Sequence, residues 1–162
     1  MARIFVGIGS NIDPLKNCEL AMNTLKEDFP DCRFSTIYES EAVGFKGDNF
    51  LNVVVEFHAD FSVPEMQRIL DITEQQMGRV YGGERFSART MDLDLLMYDD
   101  IVCDYPIQLP RAEITENAFV LLPLSELAPE LVHPVLNKTM KDLWSEYNPE
   151  SQKLWPYDEG EA

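Results

Sequence analysis

The fold can be worked out from one stretch of the sequence, Arg85-Phe86-Ser87-Ala88-Arg89-Thr90-Met91-Asp92-Leu93-Asp94-Leu95-Leu96-Met97-Tyr98. Its second half predicts a buried strand, because apolar residues dominate it apart from two aspartates. Side chains alternate along a strand, so Asp92 and Asp94 share one face while Met91, Leu93 and Leu95 share the other. The segment therefore predicts a strand that carries a pair of neighbouring carboxylates.

Two like charges on one face repel each other unless a counter-charge lies between them. A divalent metal ion is the usual counter-charge in proteins. The upstream arginines Arg85 and Arg89 favour a site for a metal-bound polyphosphate, because guanidinium groups pair well with phosphate. The alternative is structural: Asp92 and Asp94 could end the strand or form an ion cluster with the same two arginines.

Segments on the N-terminal side of this strand complete a recognisable order. Residues 3–8 predict a first strand, and the run Gly7-Ile8-Gly9-Ser10-Asn11 predicts a loop after it. Apolar residues at helical spacing predict a helix over 14–28 and a second from Pro64 to near Gly78. Residues 33–40 and 50–59 predict two further strands. The order strand, helix, strand, strand, helix, strand predicts an α+β sandwich of ferredoxin-like type, an antiparallel sheet with helices packed mainly on one face.

The C-terminal third has mixed character. Residues 101–109 predict an additional β-segment and residues 117–127 a third helix. Residues 148–162 are polar and acidic and predict a loosely attached tail. At 162 residues the chain has the size of one domain, so we expect a single domain over 1–162.

The charge balance excludes several classes of partner. The chain carries 13 basic against 29 acidic residues, a formal net charge of -16, which repels nucleic acids and anionic membrane surfaces. No signal peptide and no apolar stretch of membrane-spanning length is seen, so we expect a cytoplasmic protein without nucleic-acid or membrane partners. The sequence leaves the oligomeric state open, with a monomer as the default. A nucleotide would need a local positive patch, and Arg68, Arg79, Arg85 and Arg89 provide one in a stretch without lysine.

Five motifs occur in order along the chain: Gly9-Ser10-Asn11, Phe50-Leu51-Asn52, Gly78-Arg79, the run from Arg89 to Leu95, and Ala128-Pro129-Glu130-Leu131. Together they resemble the 6-hydroxymethyl-7,8-dihydropterin pyrophosphokinase family of folate synthesis. The resemblance implies transfer of the β,γ-diphosphate of ATP to the hydroxymethyl group of the pterin, which gives AMP and a pterin diphosphate.

The resemblance also implies roles for individual residues. Asp92 and Asp94 would hold two Mg²⁺ ions on the triphosphate, and would be catalytic together with Arg79 and Arg89. The implied ATP-binding residues are Glu74, Arg79, Arg89, Leu95 and Arg111. The implied pterin-binding residues are Val43, Phe50, Asn52 and Phe119. The alternative for Phe50 and Phe119 is plain core packing, whereas Asn52 needs polar partners if it is buried in its apolar strand.

Several positions depart from the family pattern, mostly on the nucleotide side. Ser87-Ala88 replaces Gly-Pro, Phe86 replaces Trp, and Tyr81 replaces a basic residue. Pro110-Arg111 replaces Pro-His, Asn117 replaces an arginine, and Ser40-Glu41 replaces Thr-Pro. We therefore expect a weaker ATP affinity or a related pterin substrate, unless Arg111 restores the lost phosphate contact.

Two other functions remain open on the sequence alone. The first is a diverged paralogue that binds a pterin or a nucleotide without efficient transfer, which the phosphate-side substitutions motivate. The second is a small regulatory or oligomerising ferredoxin-like domain. That second alternative accounts for the fold but leaves the aspartate pair, Asn52 and the arginine cluster without a common explanation.

Overall fold

The computed structural model describes residues 1–41, 49–80 and 91–157, with the backbone alone at 78–80. The strands in these ranges are β1 (Ala2–Ser10), β2 (Arg33–Phe34), β3 (Tyr38–Ser40), β4 (Phe50–Ala59), β5 (Asp92–Tyr98) and β6 (Leu154–Pro156). The helices are α1 (Pro14–Asp28), α2 (Val63–Val80), α3 (Glu113–Glu116), α4 (Ala118–Leu127) and α5 (Met140–Glu146).

The described strands form one sheet in the order β5-β1-β4-β3-β6, and β2 pairs with β4 beside β3. These strand pairings are all antiparallel. The predicted α+β architecture and the predicted order of its first six elements are therefore confirmed, apart from the division of the second strand. Within the described ranges, none of the helices combines the length and the apolar character that a membrane span requires.

The two longest helices cover one face of the sheet, as predicted. Each places an apolar stripe on it: Cys18, Ala21 and Leu25 from α1, and Met66, Leu70 and Met77 from α2. These stripes pack on alternate residues of the central strands, such as Val53, Val55 and Phe57 of β4. Alternation along β4 sends its intervening residue Val54 to the opposite face.

The opposite face is covered too, which the sequence did not predict. A second core joins Phe5, Val54, Leu96 and Met97 of the sheet to Ile114, Leu121, Leu124, Met140 and Leu143 of α3, α4 and α5. The three helices are short, with 4, 10 and 7 residues, so each relies on its neighbours for packing. The sheet is therefore covered by helices on both faces.

The loop predicted over Gly7–Asn11 is wrong for its first four residues, because β1 continues to Ser10 and is paired with β4 as far as Ser10 and with β5 as far as Gly9. The two glycines provide space and not a turn. A Cβ at Gly7 would lie 3.5 Å from Leu96, and a Cβ at Gly9 would lie 3.4 Å from the side-chain oxygen of Asn52. Both separations are ordinary van der Waals contacts, so the neighbouring side chains do not by themselves require glycine at either position.

The predicted strand over 33–40 is divided into β2 and β3 by Ser35. The Ser35 hydroxyl accepts a hydrogen bond from the backbone N–H of Val54 at 3.0 Å, and Ser35 N–H donates to the Val54 carbonyl at 2.9 Å. A side-chain oxygen thus replaces one backbone acceptor and interrupts the regular ladder.

A bulge in β5 changes which residues face each core. The pairing with β1 shifts between Phe5 and Val6, so that Phe5 opposes Met97 while Val6 opposes Leu95. The extra residue is Leu96, and both Leu96 and Met97 pack into the second core. Leu93 and Leu95 remain in the first core with α1 and α2.

Two predictions for the C-terminal third need correction. Residues 101–109 contain an isolated bridge between Cys103 and Leu109 and no strand. The segment predicted as a loose tail is attached over part of its length, because β6 pairs with β3 and Tyr157 N–H donates to the Ile37 carbonyl at 2.8 Å. Residues 158–162 of that segment lie outside the described residues.

Candidate functional site

A cavity of about 250 Å³ lies on the second-core face of the sheet, over the ends of β1, β4 and β5. Its floor includes Gly7 and Gly9 of β1 and Leu96 of β5, and Val120 contributes to its wall from α4. Five of the residues that the resemblance implied line this cavity: Phe50, Asn52, Asp92, Asp94 and Phe119. These five residues come from three elements that are remote in sequence, β4, β5 and α4.

The strand register explains why these side chains meet. Gly9 pairs with Asn52 of β4 on one side and with Asp92 of β5 on the other. Directly paired residues point to the same face, so the Asn52 amide and the Asp92 carboxylate stand in one row with a glycine between them. Adjacent strands are about 4.8 Å apart, which separates these two residues by about 10 Å across the sheet.

Asn52 is buried, with 6% of its surface exposed, and its amide is hydrogen-bonded. Its Nδ2 donates to the Ser40 hydroxyl at 2.9 Å, and Ser40 is itself only 4% exposed. The Asn52 side-chain oxygen borders Gly9, since a Cβ added to that glycine would lie 3.4 Å from the oxygen. This buried polar pair at the cavity wall can present amide groups to a ligand.

Phe50 and Phe119 face the cavity from different elements, β4 and α4. Phe119 also packs against the second core. The alternative of plain core packing therefore describes part of the Phe119 surface, while another part remains available to a flat ligand. Two aromatic rings beside a buried amide are typical of a site for a planar heterocycle.

Asp92 and Asp94 point to the cavity face of β5, as the alternation predicted, while Leu93 is buried in the first core. The Asp94 side chain is 51% exposed. Two carboxylates on an open cavity edge can serve as oxygen ligands for Mg²⁺, which usually takes one or two carboxylates and keeps waters and substrate phosphates. Among the described residues, no group of three or more His, Cys, Asp or Glu side chains converges as a ready metal site.

Arg111 lies against Asp94 along the outer edge of β5. Its backbone N–H donates to the Leu96 carbonyl at 2.9 Å, and its Nε donates to the Leu95 carbonyl at 3.2 Å. Its guanidinium Nη2 is 3.8 Å from a carboxylate oxygen of Asp94, and Nε is 3.8 Å from Glu113. The backbone of β5 thus holds a cation beside the aspartate pair.

Glu74 approaches the same strand from α2 and does not line the cavity. Its Oε1 accepts the backbone N–H of Leu93 at 2.6 Å, which satisfies a donor of this edge strand. Burial raises the pKa of Glu74 to about 7; the Leu93 N–H opposes that rise, and the charges of Asp92 and Asp94 add to it. Burial therefore makes a charged Glu74 costly, and the two nearby carboxylates add to that cost.

Leu95 is fully buried in the first core, on the face of β5 opposite to the two aspartates. Its side chain does not line the cavity. The remaining predicted residues, Val43 and Arg89, lie outside the described residues, as do the departures at Tyr81 and Phe86-Ser87-Ala88. For Arg79 the structure describes the backbone in α2 but not the side chain.

The structure adds residues to the site that sequence reasoning did not assign. Ser40, Glu41 and Glu113 line the cavity, and one carboxylate oxygen of Glu113 is buried without a hydrogen bond from a described residue. The sequence does mark Ser40-Glu41, because these two residues stand where the family has Thr-Pro. For Glu113 the sequence offers no signal, because its position depends on how α3 packs on β5.

Comparison with known proteins identifies relatives for most of the chain. The family model described as 7,8-dihydro-6-hydroxymethylpterin-pyrophosphokinase matches residues 5–129. The 2-amino-4-hydroxy-6-hydroxymethyldihydropteridine pyrophosphokinase of Aquifex aeolicus (strain VF5) is 31% identical over 156 residues, covering 93% of each chain. The protein of the same name from Synechocystis is 33% identical over 159 residues, covering 96% of this chain and 80% of that protein.

Other relatives are much longer. The folic acid synthesis protein fol1 of Schizosaccharomyces pombe is 31% identical over 143 residues, which are 85% of this chain and 19% of that protein. The Plasmodium falciparum HPPK-DHPS structure with pterin and p-hydroxybenzoate superposes with a TM-score of 0.69 at 14% identity. That superposition covers 90% of this chain and 43% of the longer one, so this chain spans less than half of that solved protein. The structural likeness supports the ferredoxin-like α+β fold.

Proposed function

Because this chain belongs to the 7,8-dihydro-6-hydroxymethylpterin-pyrophosphokinase family, we propose that it transfers diphosphate from ATP to the hydroxymethyl group of 6-hydroxymethyl-7,8-dihydropterin. The products are AMP and the pterin diphosphate, an intermediate of folate synthesis. One observation supports this proposal most: Asn52 and Asp92 stand in one row with Gly9 between them, so the proposed heterocycle and metal sites would lie about 10 Å apart on one face of the sheet.

The pterin site consists of the buried Asn52 amide with Phe50 and Phe119. An amide can both donate and accept, which suits the adjacent donor and acceptor atoms of a pterin edge. The aromatic rings offer flat apolar surfaces to the fused rings. Val43 belongs to this proposed site through the family resemblance.

The metal site consists of Asp92 and Asp94, and the donor set fits Mg²⁺. Both ligands are hard oxygen donors on an open edge, which leaves coordination positions for water and phosphate oxygens. Bound Mg²⁺, two ions by the family resemblance, would neutralise charge on the transferred diphosphate and favour in-line attack. The two aspartates would hold the ions, and the Leu93 N–H bond to Glu74 supports the strand between them.

The nucleotide site would combine Arg79 and Arg89 with Arg111. Arg111 is anchored to the β5 backbone beside Asp94, so its guanidinium can contact a phosphate bound to the same metal. Glu74 and Leu95 belong to the proposed nucleotide site by the resemblance. The burial of Leu95 leaves its backbone, and not its side chain, for such a contact.

A second candidate is a diverged member that binds a pterin or a nucleotide without efficient transfer. The observation that favours it is Asn117, which stands where the family has an arginine. The Asn117 side-chain oxygen accepts from Gln152 at 3.1 Å, and the residue precedes α4 as its N-cap. A neutral residue engaged in a structural contact cannot replace the phosphate contact of an arginine.

The decisive experiment separates these two candidates. The protein is incubated with Mg²⁺, ATP and 6-hydroxymethyl-7,8-dihydropterin, and AMP is followed by chromatography. Omission of the pterin, omission of ATP and addition of EDTA are the controls. AMP that forms in the complete mixture alone supports the transferase. Pterin binding by calorimetry without AMP formation rejects the transferase in favour of the binding protein.

A further inference from the structure

The start of α4 is held by a side chain that is remote in sequence. Asn117 occupies the N-cap position of this helix, but its side chain makes no capping hydrogen bond. The Oε1 atom of Gln152 instead accepts the backbone N–H of Ala118 at 2.8 Å. Ala118 is fully buried, so its N–H would otherwise be a costly unpaired donor at the first helical position. Gln152 thus provides the cap that the local sequence does not.

The backbone fixes the orientation of the Gln152 amide. A backbone N–H can only donate, and a backbone carbonyl can only accept. Turning the amide by half a rotation would set its NH₂ group against the Ala118 N–H, two donors 2.8 Å apart. In the observed orientation, Nε2 donates to the Asn117 side-chain oxygen at 3.1 Å and to the Glu116 carbonyl at 3.4 Å. One amide therefore holds the three consecutive residues that join α3 to α4.

The segment that carries Gln152 is itself anchored to the sheet. Two residues later the chain enters β6, where Leu154 pairs with Ser40 of β3. The Trp155 indole N–H also donates to the Glu39 carboxylate at 3.1 Å. This segment therefore connects the edge of the sheet to the start of α4.

Phe119 depends on this connection because its own helical bonds are missing. It is the second residue of α4, where a backbone N–H has no acceptor inside the helix. Its carbonyl would accept from the residue four positions later, but that residue is Pro123, which has no N–H. Neither backbone group of Phe119 thus takes part in an i to i−4 bond of α4. Since the Phe119 ring lines the cavity, the fixation of this first turn determines how firmly the ring is placed.

We propose that Gln152 is a positioning residue, which holds the first turn of α4 so that the Phe119 ring stays in place at the cavity. This inference rests on the proposed function for its ligand, a pterin. Gln152 does not line the cavity, so it acts on the ligand through Phe119. The proposed nucleotide-binding residue Arg111 is bonded instead to the backbone of β5. Loss of the Gln152 amide should therefore weaken pterin binding and spare nucleotide binding.

The test uses two variants of Gln152 and a matched control. Gln152→Met keeps the length of the side chain and removes its polar groups, whereas Gln152→Glu keeps the acceptor for the Ala118 N–H. The control is Thr139→Ala, which removes the cap of α5, where the Thr139 hydroxyl accepts the Asp142 N–H at 3.1 Å. α5 packs in the same second core and does not line the cavity. The control thus removes a helix cap of the same kind that has no connection to the ring.

Calorimetry gives the Kd of 6-hydroxymethyl-7,8-dihydropterin and, separately, that of the magnesium complex of ATP. In Gln152→Met we expect the Kd of the pterin to rise about threefold to tenfold, the range of a weakened aromatic contact. The Kd of the nucleotide should change by less than about twofold, because its site is distant from the substitution. Gln152→Glu should keep the pterin affinity within about twofold of the unmodified protein, since the Ala118 N–H stays paired. Thr139→Ala should lower the melting temperature and leave both affinities within about twofold.

A double-mutant cycle tests whether the effect passes through the ring. Phe119→Leu removes the ring and keeps an apolar side chain. In that background Gln152→Met should change the Kd of the pterin by less than about 1.5-fold, because the group that Gln152 positions is gone. An effect of equal size with and without the ring would overturn the positioning role.

Amide hydrogen exchange gives a reading that needs no ligand. Gln152 is half-buried, so water can replace its hydrogen bonds and both variants should fold. The Ala118 N–H should exchange faster in Gln152→Met than in Gln152→Glu or the unmodified protein. Equal exchange in all three, unchanged pterin affinity in Gln152→Met, or an equal loss of nucleotide affinity would overturn the role of Gln152 and leave the proposed function standing. An unmodified protein that binds no pterin would overturn both.

Discussion

At the scale of single residues, the proposed site has a metal part and a heterocycle part, and different substitutions should affect each of them. Asp94 lies on the cavity face of β5 with half of its side chain exposed, and Asn52 is buried two strands away. The sequence predicted both residues, because a carboxylate pair and a lone amide are conspicuous in apolar strands. It did not identify Ser40 as the partner of Asn52, because that contact depends on the register of β3 against β4.

Substitution of Asp94 should abolish transfer and spare pterin binding. We expect Asp94→Ala to lower kcat by more than about a hundredfold, because one of two proposed Mg²⁺ ligands is lost, while the Kd of the pterin changes less than about threefold. AMP formation and calorimetry measure the two effects. Asp100→Ala, an exposed aspartate beyond the end of β5, is the control and should change neither. A variant that keeps its turnover but loses pterin binding contradicts the assigned roles.

Substitution of Arg111 should weaken the nucleotide site. A charge-assisted hydrogen bond contributes about 1.5–3 kcal/mol, so Arg111→Gln should raise the Kd of ATP in the presence of Mg²⁺ by roughly 10-fold to 150-fold. Arg111→Lys keeps the charge but loses the Nε bond to the Leu95 carbonyl, and should give an intermediate value. Equal ATP affinity in all three proteins would show that Arg111 serves only to cover the edge of β5.

At the scale of elements, ion pairs between side chains join neighbouring strands in addition to the backbone hydrogen bonds. Glu56 of β4 is 6% exposed and accepts from Arg3 of β1 and from Arg33 of β2, each at 2.6 Å. Burial by itself raises the pKa of Glu56, but the hydrogen bonds and charges of the two arginines outweigh burial and hold the pKa below its ordinary value. The folded protein therefore binds the Glu56 proton more weakly than the unfolded chain does.

This depressed pKa predicts how stability changes in acid. A lowered folded-state pKa stabilises the fold above the unfolded value, near 4.5, and that contribution is lost as the pH falls through the folded value. Urea unfolding of the wild type and of Glu56→Gln should therefore differ most at about pH 6 to 7 and converge below about pH 4. Both arginines are more than a third exposed, so salt should reduce the difference. A difference that grows in acid contradicts the assigned pairing.

The elements that the sequence missed have physical reasons in common. β6 has three residues and no alternating pattern of its own, and it is placed by long-range contacts such as Trp155 Nε1 to Glu39 at 3.1 Å. The split between β2 and β3 comes from one side-chain hydroxyl, which a strand pattern does not reveal. In contrast, α1, β4 and α2 have strong periodicity and end within two residues of their predicted limits. Local patterns predicted the scaffold, and tertiary contacts determined its edges.

At the scale of the whole molecule, the chain and one of its proposed substrates, the magnesium complex of ATP, are both negatively charged and repel each other. The formal net charge is -16, whereas the pterin is neutral and the ATP complex of magnesium is anionic. Long-range repulsion is screened beyond a Debye length, which is about 10 Å at 0.1 M salt. The acidic surface should therefore slow the approach of the nucleotide without affecting that of the pterin.

The repulsion between the acidic chain and the magnesium complex of ATP predicts that salt speeds up nucleotide binding. We expect the association rate of the magnesium complex of ATP to rise as ionic strength increases from about 10 mM to about 150 mM, because repulsion is screened. The association rate of 6-hydroxymethyl-7,8-dihydropterin is the internal control and should stay constant. Stopped-flow fluorescence with both ligands measures the two rates. A nucleotide rate that falls with salt would mean that the local arginine patch, and not the net charge, governs the encounter.

The bulge in β5 has a practical consequence for inhibitor chemistry. It places Leu96 over Gly7, 3.5 Å from the position a Cβ would take there, so that this side chain forms part of the cavity floor. Leu96→Ala would deepen the cavity at a cost of about 2–5 kcal/mol in stability. A pterin analogue with an added alkyl group, too large for the natural cavity, would then bind the variant selectively. The depth of this cavity can thus be changed without changing its polar contacts. Such a variant would bind a ligand that the unmodified protein does not.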